Sequence, residues 1–136
     1  MTQFESSVKV IPYNNEQVFN KISDLTNLEK VKDKLPQDKM KDLQFDADSI
    51  TFSVPPAGMV TLRIIEREPY KYIKFETENS PLPFNLWIQL VPTSEEECKM
   101  KLTIKAELNP FIKGMIQKPL EDGLEKMAEM LSKVPY

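Results

Sequence analysis

Hydrophobic and polar positions alternate over residues 3–11 (QFESSVKVI), with Phe4, Val8 and Val10 in step, and predict a first strand. Pro12 ends it. Asn14 followed by Gln17 reads as a capping box opening a short helix that turns Val18, Phe19 and Ile22 inward. Asp24 restarts a second helical turn carrying Leu25 and Leu28, and residues 29–42 are dense in charge of both signs. From Leu43 the period drops to two. Leu43 and Phe45 precede a turn at Asp46-Ala47-Asp48, then come Ile50, Phe52 and Val54 and the breaker Pro55-Pro56-Ala57-Gly58. Val60, Leu62 and Ile64 alternate next, followed by a turn near Glu68-Pro69, Ile73 and Phe75, and a loop at NSPLP (79–83). A strand at 84–91 puts Phe84, Leu86, Ile88 and Leu90 on one face, and residues 92–96 read as a loop. Residues 98–108 alternate most cleanly, with Met100, Leu102, Ile104, Ala106 and Leu108 against Lys99, Lys101, Thr103, Lys105 and Glu107. Short connections between successive strands make the sheet antiparallel, with one apolar face to be covered.

The cover is the last quarter. Over residues 109–134 the pattern becomes helical: Phe111, Ile112, Met115, Ile116, Leu120, Leu124, Met127, Ala128, Leu131 and Val134 read as one stripe, and Lys113, Gln117, Glu121, Asp122, Glu125, Glu129 and Lys133 as the other side. Asn109 suits the N-cap and Pro110 the first helical position. Such a helix runs roughly 35–40 Å at 1.5 Å per residue. The order is strand, two short helices, six strands, long helix, without a repeat or linker: an α+β arrangement of about seven strands curling around the C-terminal helix.

Composition narrows the function. The chain has 136 residues, 40% apolar and 29% charged, enough for one domain (1–136) with a real core. A net charge of −3 gives no basic footprint for nucleic acid, and no apolar run reaches the ~20 residues of a membrane span. MTQFESSVKV lacks a signal-peptide pattern, and Cys98 is the single cysteine, so a reducing cytoplasm is the expected location. There is no histidine, which removes the commonest general base, the commonest zinc ligand and any Ser-His or Cys-His pair. The three glycines form no phosphate-binding loop. No cofactor and no metal are expected.

Val18-Phe19-Asn20-Lys21-Ile22-Ser23-Asp24-Leu25-Thr26-Asn27-Leu28 resembles the first two helices of the START-like, helix-grip (SRPBCC) superfamily, where an apolar pair precedes a Ser-Asp or Thr-Asp break. Gly58-Met59-Val60-Thr61-Leu62-Arg63-Ile64-Ile65-Glu66-Arg67-Glu68-Pro69 resembles its middle hairpin, and Asn85-Leu86-Trp87 to Leu90 the following strand. The superfamily includes birch-pollen-allergen-like and polyketide cyclase/lipid-transport proteins. The resemblance covers nearly the whole chain and implies a helix-grip fold. It also implies a hydrophobic or amphipathic ligand held between sheet and C-terminal helix, some members being enzymes or co-chaperones. The chain departs from relatives in residues 29–42, where they often place an aromatic residue near the cavity mouth.

Residues on the facing surfaces are then the candidate ligand contacts: Phe52, Leu62, Phe75, Leu86, Ile88, Met100, Leu102 and Ile104 on strands, and Met115, Ile116, Pro119, Leu120 and Met127 on the helix. Each could also be plain core, the commoner role for a methionine on such a face. Gly114, Pro119 and Gly123 interrupt the helix at about 1 kcal/mol for each glycine and about 3 for the proline. Either Gly123 admits a close approach while Pro119 bends the helix around the sheet, or Pro119 frees the Met115 carbonyl as a polar acceptor in an apolar cavity. Trp87 and Arg63 read as outward, with Lys and Arg stems shielding the indole. Tyr70, Tyr72, Asp24 and Glu107 are the remaining acid–base candidates, and none pairs at a spacing that argues for a site. The expectation is non-catalytic binding of a lipid-like or polycyclic molecule. The alternatives are a cyclase or dehydratase, and a co-chaperone-like module acting through Trp87 and the Lys-rich segment.

Overall fold

The alternating segments build one antiparallel sheet in the computed structural model, which describes residues 2–30, 44–54, 58–78 and 83–136. Its strands are β1 (Thr2–Glu5), β2 (Lys9–Ile11), β3 (Gln44–Phe45), β4 (Ser49–Val54), β5 (Gly58–Glu68), β6 (Tyr72–Glu78), β7 (Phe84–Ser94) and β8 (Glu97–Ala106). They lie in the order β1-β8-β7-β6-β5-β4-β3, with β2 also paired to β8. Helices α1 (Asn15–Ile22) and α2 (Thr26–Lys30) follow β2, and α3 (Pro110–Ser132) ends the fold. The expectations for Leu43, for residues 31–42 of the charged run, for 55–57 and for 79–82 fall outside the described residues.

Among the described residues there are eight strands rather than about seven, because the segment 3–11 contains a bulge. Four steps from Glu5 to Lys9 oppose only three from Thr103 to Met100, so one extra residue reverses the inward–outward phase. Ser6 anchors the irregularity. Its N–H donates to the Leu102 carbonyl at 2.9 Å, and its hydroxyl oxygen accepts from the Leu102 N–H at 2.9 Å. Phe4 and Ile11 are therefore buried, while Val8 and Val10 are 55% and 56% exposed. The expectation that Phe4, Val8 and Val10 share an inner face is corrected. At the other hairpin, β7 runs through Pro92, opposite Cys98, so the loop expected at 92–96 shrinks to a turn.

The caps are the expected ones. The Asn14 carboxamide oxygen accepts from the Gln17 N–H at 2.8 Å, and that of Asn109 accepts from Ile112 at 2.9 Å. The Asp24 carboxylate accepts from both the N–H and the hydroxyl of Thr26. Arg67 ties these short helices to the sheet, donating to the Ser23 carbonyl and pairing with Asp48 at 2.6 Å.

Burial along α3 follows Ile116, Leu120, Leu124, Met127, Ala128, Met130 and Leu131. Its first turns depart from the expected stripe: Phe111 is 80%, Met115 54% and Ile112 38% exposed. At about 100° per residue, Phe111 lies about 140° around the helix from Ile116, so it points away from the sheet. Trp87 and Arg63 face outward. The ammonium groups of Lys74 and Lys105 sit 5.1 and 5.3 Å from the indole ring centre, and Arg63 pairs with Glu78 at 3.0 Å.

Candidate functional site: an apolar space under the long helix

Alternation along β4, β5, β7 and β8 turns Phe52, Leu62, Leu86 and Ile104 toward α3, and Pro119, Leu120, Gly123, Leu124 and Met127 face them from the helix. These nine residues line a cavity of about 10 Å³, on the measure by which one water needs about 10–15 Å³. No titratable side chain is among them. The space is apolar and partly open, with Pro119 and Gly123 half-buried at its edge.

Seven of the thirteen candidate contacts are lining residues: Phe52, Leu62, Leu86, Ile104, Pro119, Leu120 and Met127. Phe75, Ile88, Met100, Leu102 and Ile116 are buried in the surrounding core without bordering the cavity. Met115 is the correction, because it is 54% exposed on the outward side of α3 and does not line the cavity. Gly123 and Leu124 were missing from the candidate set, although Leu124 follows Leu120 by one turn on the same stripe and could have been taken with it.

The glycine also behaves differently from expectation. A Cβ built on Gly123 would meet nothing within 4 Å, so this glycine borders open space rather than a closely approaching strand. Pro119 has no N–H to offer the Met115 carbonyl, and Met115 is not a lining residue. The carbonyl therefore supplies no polar acceptor to the cavity.

Polar groups hold the helix at its margins. The Glu125 carboxylate pairs with Lys9 at 2.7 Å and accepts from the Ser7 hydroxyl at 2.6 Å and the Ser7 N–H at 2.8 Å. The Lys9 ammonium, then the Ser7 hydroxyl and N–H, hold its pKa down to about 2. The bulge between β1 and β2 thus has a second consequence: it presents Ser7 and Lys9 to the middle of α3. At the far end the Tyr136 hydroxyl donates to the Leu131 carbonyl at 2.7 Å, and its ring stacks edge-on against Tyr13. Burial, then the neighbouring Cys98, raises the Tyr136 pKa, and burial followed by Glu97 raises that of the Cys98 thiol. A buried thiol held in its neutral form is a poor nucleophile.

The other acid–base candidates do not converge. Tyr72 donates to Glu66 at 2.6 Å on the outer face, which raises its pKa, and Asp24 caps α2. Tyr70 is a turn residue with φ 65°, and Glu107 is exposed. Among the described residues no group of three or more His, Cys, Asp or Glu could hold a metal ion, and no helix is long and apolar enough to cross a membrane.

An antiparallel sheet covered by one long C-terminal helix, with two short helices after the first strands, is the helix-grip fold. Norcoclaurine synthase from Thalictrum flavum, solved with dopamine and hydroxybenzaldehyde, superposes with a TM-score of 0.71 at 16% identity, covering 97% of this chain and 84% of that one. A Thermobifida fusca protein solved by NMR gives 0.66 at 12% identity over 98% and 92% of the two chains. The protein XoxI of Bacillus cereus gives 0.59 at 15% identity over 98% and 97%. No protein-family model matches the chain, and no curated protein matches it.

Proposed function

We propose that the protein binds a hydrophobic or amphipathic small molecule, lipid-like or polycyclic, between the sheet and α3, and releases it unchanged. The observation that carries this reading is the wall itself. Nine residues without a titratable group line the space, and on the helix side they include both Pro119 and Gly123. An apolar wall recognises area rather than charge, at roughly 25 cal/mol per Å² of apolar surface removed from water. Pro119 removes one helix hydrogen bond and Gly123 removes a side chain, so α3 is weakest where it must yield to admit a ligand larger than the present space.

Catalysis would need a group within reach of the bound molecule to move a proton or polarise a carbonyl. The tyrosine and carboxylate candidates lie on the outer face, in turns or at caps, which supports binding over transformation.

The test is uptake. Native mass spectrometry of the purified protein and titration with a fluorescent fatty-acid analogue should show one apolar molecule bound per chain, displaceable by competing lipid. A protein that carries no apolar species and takes up no probe saturably would overturn the proposal.

A further inference from the structure

A site built for a polar ligand leaves its mark on the empty protein. The donor or acceptor meant for the ligand stands inside without a protein partner, an arrangement that native interiors otherwise avoid. The wall under α3 carries no such group. Its nine residues are aliphatic, aromatic, proline or glycine apart from Met127, whose thioether sulfur is a weak acceptor and the only side-chain heteroatom among them.

The rest of the interior holds no polar group in reserve. Among the described residues the buried polar side chains are Ser6, Ser49 and Thr103. The Ser6 hydroxyl is bonded to Leu102 and Ser7, that of Ser49 to Asp46 and that of Thr103 to Gln89. No buried side-chain nitrogen or oxygen among the described residues lacks a partner. The strands behind the wall pair their amides and carbonyls with one another, and the carbonyl that Pro119 leaves free belongs to Met115, which does not line the cavity.

We propose that the ligand is an uncharged molecule with no hydrogen-bonding group on the part that enters: an isoprenoid-like or fused-ring hydrocarbon rather than a hydroxylated aromatic or a carboxylate. This rests on the binding function proposed above and narrows it to one chemical class. A buried hydroxyl or carbonyl without a partner is penalised by its lost hydration, and a buried carboxylate far more. An apolar wall rejects an added hydroxyl by up to about a hundredfold. A fatty-acid probe is taken up by its tail, with the carboxylate left in water beside Pro119 and Gly123 at the edge of the space. The carbons next to that carboxylate then stay outside the wall, so such a probe gains less from burial than a hydrocarbon of the same length.

Three naphthalenes test it: methylnaphthalene, naphthylmethanol and naphthoate, substituted at the same ring position and titrated into the full chain at neutral pH by equilibrium dialysis. They differ only in carrying a methyl, a hydroxymethyl or a carboxylate group. Methylnaphthalene should bind at least tenfold more tightly than naphthylmethanol and at least a hundredfold more tightly than naphthoate. Gly123→Ala should weaken methylnaphthalene binding about tenfold, which assigns the preference to this wall. Binding of naphthylmethanol or naphthoate within about threefold of methylnaphthalene would overturn the proposal and leave the binding function standing. So would saturable uptake of the fatty-acid analogue with none of methylnaphthalene. A methylnaphthalene affinity unchanged by Gly123→Ala would overturn it too, because the preference would belong to another surface. No saturable uptake of any probe would instead overturn the binding function itself, so the two failures are distinguishable.

Discussion

Replacing Gly123 with alanine separates a space used by a ligand from a mere gap in packing. The substitution adds one methyl group where nothing lies within 4 Å, at a residue that lines the cavity. Alanine in a helix interior is better than glycine by about 1 kcal/mol. Burying the methyl adds at most about 0.8 kcal/mol, and less here because Gly123 is partly exposed. A gain of about 1–1.5 kcal/mol in a domain of this size should raise the melting temperature by about 3–5 °C. Gly114→Ala is the matched control. It has the same open surroundings and the same gain in helix propensity, but it is exposed and does not line the cavity.

The two variants should agree in stability and diverge in uptake. A methyl projecting into a ligand's space costs about 1–3 kcal/mol of overpacking, so Gly123→Ala should weaken probe binding about tenfold while Gly114→Ala leaves it unchanged. The assay is a probe titration alongside thermal unfolding of both proteins. If Gly123→Ala binds as tightly as the wild type while melting higher, the ligand does not sit beside Gly123 and the site assignment fails. If Gly123→Ala melts lower than the wild type, the space is absent and the geometric premise fails with it.

Acid should loosen α3 through Glu125. Its folded pKa of about 2 lies below the usual 4.5, so its contribution is present above about pH 4.5 and is lost as pH falls toward 2. Glu125→Gln should flatten that part of the stability–pH profile, and a parallel profile would show that Lys9 and Ser7 do not hold the helix through it. Cys98 should resist thiol reagents under native conditions and react on unfolding, and rapid native labelling would contradict its burial. Replacing Lys74 and Lys105 together by methionine should shift Trp87 emission while costing no more than about 1 kcal/mol per contact, as read by fluorescence and urea unfolding. Amide hydrogen exchange should be faster over residues 110–119 than over 120–132, and equal protection of the two halves would show that α3 opens only as a unit.

Much of the architecture was legible because burial is a strong periodic signal. The alternation in β5 to β8, and in β4 as far as Phe52, matches the inner and outer faces, down to the outward Trp87 and Arg63, and Asn14, Asp24 and Asn109 announce their helices. The failures share a physical cause. A one-residue bulge at Ser6 leaves no trace in composition yet inverts every later side chain of its strand, so simple alternation places Val8 and Val10 on the wrong face. Hydrophobicity alone likewise put Phe111 and Met115 on the helix stripe, whereas the spacing set by Ile116, Leu120, Leu124 and Met127 puts them off it. The candidate site was half legible for the same reason. A pattern reports which residues face inward, but which of these border a void depends on packing volumes that no pattern encodes.

The distribution of burial along α3 bears on how so small a cavity could take a ligand. Of residues 110–119 only Ile116 is buried, while 120–132 bury Leu120, Leu124, Met127, Ala128, Met130 and Leu131 and are clamped through Glu125 to Ser7 and Lys9. Lifting the first half from the sheet therefore exposes roughly one isoleucine, about 2–3 kcal/mol, whereas lifting the second would expose six buried side chains. Pro119 stands between the halves, so the break costs one hydrogen bond fewer than it would in an unbroken helix. A gap of that size leaves the opened form populated at about a per cent. A ligand burying a further 200 Å² or so of apolar surface, worth about 5 kcal/mol, would make it dominant. The asymmetry also gives the opening a direction, since the half that can lift is the one bearing Phe111, Ile112 and Met115.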